Sequence, residues 1–189
     1  MAAVSAKEMI LSEARQMAQA HGYNGMNFRE LADRVGIKPA SIYHHFASKA
    51  DLGAAVAKRY WEDAAANLDA ILDKEADPKA ALRRYPEVFR RSLESQNRLC
   101  LGSFMSAEHD DLPEAVMKEV QTFTDVNVAW LSRMLVLAGI VGSNDTAETR
   151  ARAIFASIAG AQLMARSRSD ITLFDTLVDA YRVTGLLPS

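Results

Sequence analysis

Between Asn27 and Phe46 the chain carries two short helical patterns separated by one glycine, and this pairing limits the fold more than any other feature. Asn27 stands three residues before Glu30, close to a capping-box arrangement, and opens a predicted helix over Phe28 to Val35. Gly36 ends it. Pro39 suits the first turn of a second helix running through Phe46, because the N–H it lacks would have no helical partner there. Leu31, Ala32, Val35 and Ile37 supply an apolar inside edge, and Ile42 and Phe46 share one face at i, i+4. Ala40, Ser41, Tyr43 and His44 fall mostly on the other face. Helix, glycine turn, helix is the helix-turn-helix layout, which offers its second helix to the major groove of DNA.

Helical periodicity continues on both sides, with no strand alternation. Ile10, Ala14, Met17 and Ala18 mark one face of a first helix over Ala6 to Ala20, and Gly22 stops it. Ser48 is positioned to cap a long helix over Lys49 to Lys74, with Leu52, Val56, Tyr60, Ala64, Leu68 and Ile71 at spacings of three to four. Asp77-Pro78 interrupts the pattern. Further helices are expected over 79–95, 97–108, 113–138, 146–167 and 173–184. The predicted class is therefore all-α with about nine helices. A three-helix front unit is joined through a long helix to a C-terminal helical domain.

Composition excludes several classes of function. Of the 189 residues, 49% are apolar and 24% charged, which is globular and not disordered. Cys100 is the single cysteine, so no intrachain disulfide forms, in keeping with a reducing, cytoplasmic compartment. The longest apolar run, Met134 to Gly142, is far short of the ~20 residues of a membrane span. The stretch MAAVSAKEMI carries no apolar signal core, and a soluble, intracellular protein is expected. No cofactor, metal or catalytic site is expected. Cys100 and His109 form the only conceivable nucleophile and base, and nothing in their spacing brings them together. His44 and His45 diverge by ~100° on a helix and do not suit one ion. His45 is expected to be partly buried or packed on a neighbouring helix. His109-Asp110-Asp111 reads as a solvated corner before Leu112-Pro113, and no Gly-rich phosphate loop is present.

Charge is unevenly distributed. Residues 1–60 hold 8 Lys/Arg against 5 Asp/Glu, a net of +3, and the remainder holds 14 against 19, a net of −5. A basic front on an acidic body points to a polyanion partner at one end. Arg29, Lys38 and Lys49 surround the outward face, where Ser41 and Tyr43 are suited to bond phosphates or base edges. On these residues alone, an all-helical binding protein or enzyme with an incidental helix-turn-helix stays open.

The stretch NGMNFRELADRVGIKPASIYHHFASKADL resembles the N-terminal signature of the TetR (tetracycline-repressor-like) transcriptional regulators. The resemblance rests on Gly22-Tyr23-x-Gly25, Leu31-Ala32, Val35-Gly36-Ile37, Ile42-Tyr43-x-x-Phe46, Lys49 and Leu52, and covers about residues 6–60. It implies a DNA-binding domain over 4–64, with its motif at 27–46, and an effector-binding and dimerisation domain over 65–189. It also implies that Asn27, Arg29, Tyr43 and Lys49 contact phosphates, while Lys38, Pro39, Ala40, Ser41 and His44 line the groove. The family often has Ser or Thr where Asn27 stands, and Ser-Lys or Ser-Pro where Lys38-Pro39 stands. The operator therefore does not transfer from relatives.

The same resemblance implies a homodimeric regulator, expected to be a repressor released from a palindromic operator by a small effector. Phe89, Cys100, Phe104, Phe123 and Trp130 are the candidate pocket residues, and so few charges among them favour an apolar or weakly polar effector. They suit a plain core equally well. The helix over 146–167, rich in small residues and apolar around much of its circumference, is the expected dimer interface through Ile154, Phe155, Ile158, Ala161 and Ala165. Two alternatives stand beside this reading: a dimeric DNA-binding protein that takes no ligand, and a thiol-responsive regulator acting through Cys100.

Overall fold

Side-chain caps and left-handed turns divide the chain into ten α-helices and one short 3-10 turn among the described residues. The computed structural model describes residues 5–142 and 144–188, so the expected domain limits at 4 and 189 and residue Ser143 lie outside the described residues. The order is α1 (Ala6–His21), α2 (Phe28–Val35), α3 (Pro39–His45), α4 (Lys49–Glu75), α5 (Pro78–Arg84), α6 (Glu87–Glu94), α7 (Leu101–Ala107), the 3-10 turn His109–Asp111, α8 (Glu114–Leu137), α9 (Asn144–Arg168) and α10 (Ile171–Val183). None of these helices is long and apolar enough to cross a membrane.

The Ser48 cap and the Gly36 stop operate as read. Ser48 Oγ accepts the Asp51 N–H at 3.1 Å and starts α4. Gly36 takes the left-handed conformation (φ 75°, ψ 32°), and the Ile37 N–H reaches back to the Ala32 carbonyl at 3.0 Å. A side chain at Gly36 would strain that turn.

Two expected helices differ. The one expected over 79–95 is split into α5 and α6, because Pro86 has no N–H to donate to the Leu82 carbonyl. The Tyr85 N–H makes a tighter bond to Leu82 instead, at 3.3 Å. The helix expected from Asn97 begins at Leu101, because Gln96 (φ 61°) and Asn97 (φ 55°) are left-handed. The Asn97 amide is occupied elsewhere, donating to the Arg166 carbonyl at 3.0 Å and to Ser169 Oγ at 3.1 Å at the end of α9.

The chain forms two compact units. The first takes the described part of Met1–Glu62 together with Leu101–Phe123. Its core includes Ile10, Ala14 and Met17 of α1, Leu31 and Ala32 of α2, Ile42 of α3, and Leu52 and Val56 of α4, all buried. Here α1 packs on α2 and α7, and α2 on α3. The second takes Asp63–Cys100 and the described part of Thr124–Ser189. There α6, α9 and α10 pack on one another around Phe89, Ile154, Ile158, Phe174 and Val178.

Candidate nucleic-acid interface

The cap of α2 is the starting point of the site. Asn27 Oδ1 accepts the Arg29 N–H at 2.8 Å and the Glu30 N–H at 3.2 Å, two donors that the first helical turn leaves without backbone partners. The reciprocal half of a capping box is not made, since the Glu30 carboxylate pairs with Arg34 at 2.7 Å. Capping holds the Asn27 side chain over the start of α2, beside the exposed Arg29. From α3, the Tyr43 ring leans on Phe28, with centroids 4.9 Å apart and planes at 59°. From the start of α4, Lys49 Nζ donates to the Asn24 carbonyl at 3.1 Å and stands 4.8 Å over the Tyr23 ring. Burial pushes the Tyr23 phenol up, so the ring beneath Lys49 stays neutral.

Asn24, Asn27, Phe28, Arg29, Tyr43 and Lys49 are among the residues lining one open cleft of about 600 Å³. It contains two cations, two amides and a phenol, all able to donate hydrogen bonds, so its chemistry suits an anion. The four residues expected to touch phosphates thus meet in one concavity, although 22 positions separate Asn27 from Lys49.

The outward face of α3 adjoins it through Tyr43, which is 59% exposed. Lys38, Pro39, Ala40 and His44 are exposed and Ser41 is half-buried, while Ile42 and Phe46 face inward at 0% and 4%. His45 departs from expectation and is exposed. It is the last residue of α3, and the chain turns extended at Phe46, so no further turn covers the ring.

The expected effector residues are distributed over both compact units. Phe104 and Phe123 belong to the first unit, and Phe89, Cys100 and Trp130 to the second. Phe123 packs 5.2 Å from Tyr60. Phe89 is fully buried near Tyr85 and Phe155, and the Cys100 N–H donates to Gln162 Oε1 at 3.0 Å. Trp130 lines a groove of about 280 Å³ with Leu68 and the Asp69–Arg133 ion pair. A larger groove of about 560 Å³ runs along α8 and α9, with Val128, Ser132, Val136, Leu137, Glu148 and Arg152 in its wall. No sequence pattern had marked it.

The expected dimer residues are covered largely within one chain. Ile154, Ile158, Ala161 and Ala165 are each 0% exposed within a single chain, and Phe155 is half-buried against Phe89. They pack α9 against α6 and α10 of the same chain. The outward face of α9 carries Ala153, Ala156, Gly160, Leu163 and Met164, with Leu163 57% and Met164 48% exposed. Because α9 is apolar on both faces, periodicity did not tell one from the other. Sequence reasoning also missed Glu108, whose carboxylate accepts the Tyr23 N–H at 2.8 Å across 85 positions. No local pattern announces such a bond.

Residues 10–56 match the family described as "Bacterial regulatory proteins, tetR family". The chain is 28% identical over 117 residues to the HTH-type transcriptional activator FasR of Mycolicibacterium smegmatis, covering 61% of this chain and 52% of that one. It is 36% identical over 67 residues to the HTH-type transcriptional repressor AcnR of Corynebacterium diphtheriae, covering 35% of this chain and 34% of that one. The chain thus spans about half, or about a third, of the length of these relatives. The crystal structure of a TetR transcriptional regulator from Legionella pneumophila superimposes with a TM-score of 0.90 at 28% identity, over 97% of this chain and 99% of the other.

Proposed function

We propose, on the premise that this chain belongs to the TetR family, that it is a sequence-specific DNA-binding transcriptional regulator acting as a homodimer on a palindromic operator. The observation that carries the reading is the junction of the Asn27–Arg29–Tyr43–Lys49 cleft with the exposed face of α3. The cleft would take backbone phosphates and fix the register of α3. Lys38, Pro39, Ala40, Ser41 and His44 would then meet base edges in the major groove. Each phosphate neutralised steepens the salt dependence of binding by ~0.9 in log–log slope.

One seven-residue helix contacts too few bases for useful specificity, so a two-fold pair is required. The outward face of α9 supplies the surface for it. In functional terms residues 4–64 read DNA, and 65–189 bind effector and dimerise. An effector that binds the DNA-incompetent arrangement more tightly than the competent one releases the operator by that difference in affinity alone. The smaller groove of the second unit, walled by Ala65, Leu68, Val126, Ala129 and Trp130 beside one ion pair, supports an apolar or weakly polar effector. Repression is the sign assigned here, since occupying an operator blocks transcription without a further contact surface. A DNA partner also assigns the protein to the cytoplasm.

The test is a salt-dependent gel shift with duplexes flanking the protein's own gene. A specific shift near physiological salt, lost stepwise as salt rises, is expected. Folded dimer that retains no flanking duplex rules the reading out. Metabolite screening by thermal shift, followed by operator release, then separates an effector-controlled regulator from one that takes no ligand.

A further inference from the structure

The turn that follows α1 is held from far away in the sequence. After His21 the chain turns at Gly22 (φ 73°), and the next N–H, that of the buried Tyr23, donates to Glu108 Oε2 at 2.8 Å. Glu108 follows the end of α7, a helix that packs on α1. The fit is close. A Cβ built on Gly22 would stand 2.1 Å from Glu108 Oε1, so the carboxylate occupies the space that a side chain would fill. Asn24 Nδ2 also donates to Asp111 Oδ2 at 3.4 Å.

The turn held in this way supplies both anchors of Lys49, the Tyr23 ring under its ammonium and the Asn24 carbonyl that accepts from it. We infer that Glu108, some sixty positions beyond the helix-turn-helix motif, is a positioning residue for DNA binding, setting where the Lys49 ammonium stands in the phosphate cleft. The inference rests on the DNA-binding reading above. It makes Leu101–Phe123 part of the DNA-reading apparatus, in line with its place in the same compact unit as α1 to α3. A carboxylate opposes a polyanion by its charge. If charge were its whole effect, removing it would tighten binding. Positioning predicts the opposite sign.

The test uses the full chain and the flanking duplex that wild type retains, with dissociation constants from fluorescence anisotropy. Glu108→Ala should weaken binding about tenfold, the scale of one lost hydrogen bond to a charged group. Glu108→Gln keeps an acceptor oxygen and should bind close to wild type. Glu108→Asp keeps the charge, draws the oxygens back by about 1.5 Å and should weaken binding with little disturbance of folding. Combined with Lys49→Ala, neither Glu108→Ala nor Glu108→Asp should weaken binding further, because both act through the same ammonium. Tighter or unchanged binding by Glu108→Ala and Glu108→Asp overturns the inference. So does a loss that multiplies with that of Lys49→Ala, which would mark a merely structural role. Wild type that binds no duplex defeats the DNA-binding reading instead.

Discussion

Asn27 does two jobs that one substitution can pull apart. Its Oδ1 satisfies two N–H groups at the start of α2, and its side chain lines the cleft with Arg29 and Lys49. Asn27→Ala removes both contributions and is expected to destabilise the chain by about 1 kcal/mol, as for other N-caps. Asn27→Asp separates them. Aspartate caps as well as asparagine, and its charge interacts favourably with the helix N-terminus by ~0.3–1 kcal/mol, so the urea midpoint should hold or rise. The same charge would face a DNA phosphate. At about 5 Å, two unit negative charges repel by roughly 0.8 kcal/mol in bulk water and 3 kcal/mol at an effective dielectric of 20. Operator affinity should therefore fall by roughly 4- to 150-fold while stability does not. Anisotropy on a labelled operator at fixed salt, paired with urea unfolding, reads both quantities. Asn27→Asp that binds like wild type would falsify the phosphate role. A stable fold in Asn27→Ala, with no shift of midpoint, would instead remove the cap from the account.

Two further perturbations test the body of the protein. Tyr85 is fully buried and its hydroxyl donates to Asn127 Oδ1 at 2.9 Å, so Tyr85→Phe should lower stability by about 1–3 kcal/mol in urea unfolding. Burial, with Cys100 adding to it, pushes the Tyr85 phenol well above its ordinary value. A raised folded value means that the unfolded chain releases this proton first. Stability should therefore fall as pH climbs past about 10, and the fall should be shallower in Tyr85→Phe, by up to about 1.4 kcal/mol per pH unit. An identical alkaline slope in the two proteins would contradict this. On the outward face of α9, Leu163→Lys with Met164→Lys should leave a folded monomer by sedimentation and weaken self-association by about a hundredfold or more, since unpaired charges would be buried between copies. Ile158→Lys, placed in the core, should unfold the chain instead. A dimer that survives the paired lysines moves the interface elsewhere.

Much of this protein is determined locally, and the sequence decides those parts alone. The helix-turn-helix unit is the clearest case: Asn27, Gly36, Pro39 and Ser48 each act within four residues of the backbone groups they satisfy or terminate. The inward pair Ile42 and Phe46 and the outward Tyr43 and His44 follow from helical period alone. What the tertiary structure decided depends on groups distant in sequence. Helix α7 starts late because Asn97 is drawn to the end of α9 and Gln162 takes the Cys100 N–H. The outward face of α9 is defined only once Phe89, Phe174 and their neighbours have filled the inner one, because a helix apolar on both sides carries no label for either. The partnership of Glu108 with the turn beside Lys49 joins atoms 85 positions apart, and only folding brings such a carboxylate to its N–H.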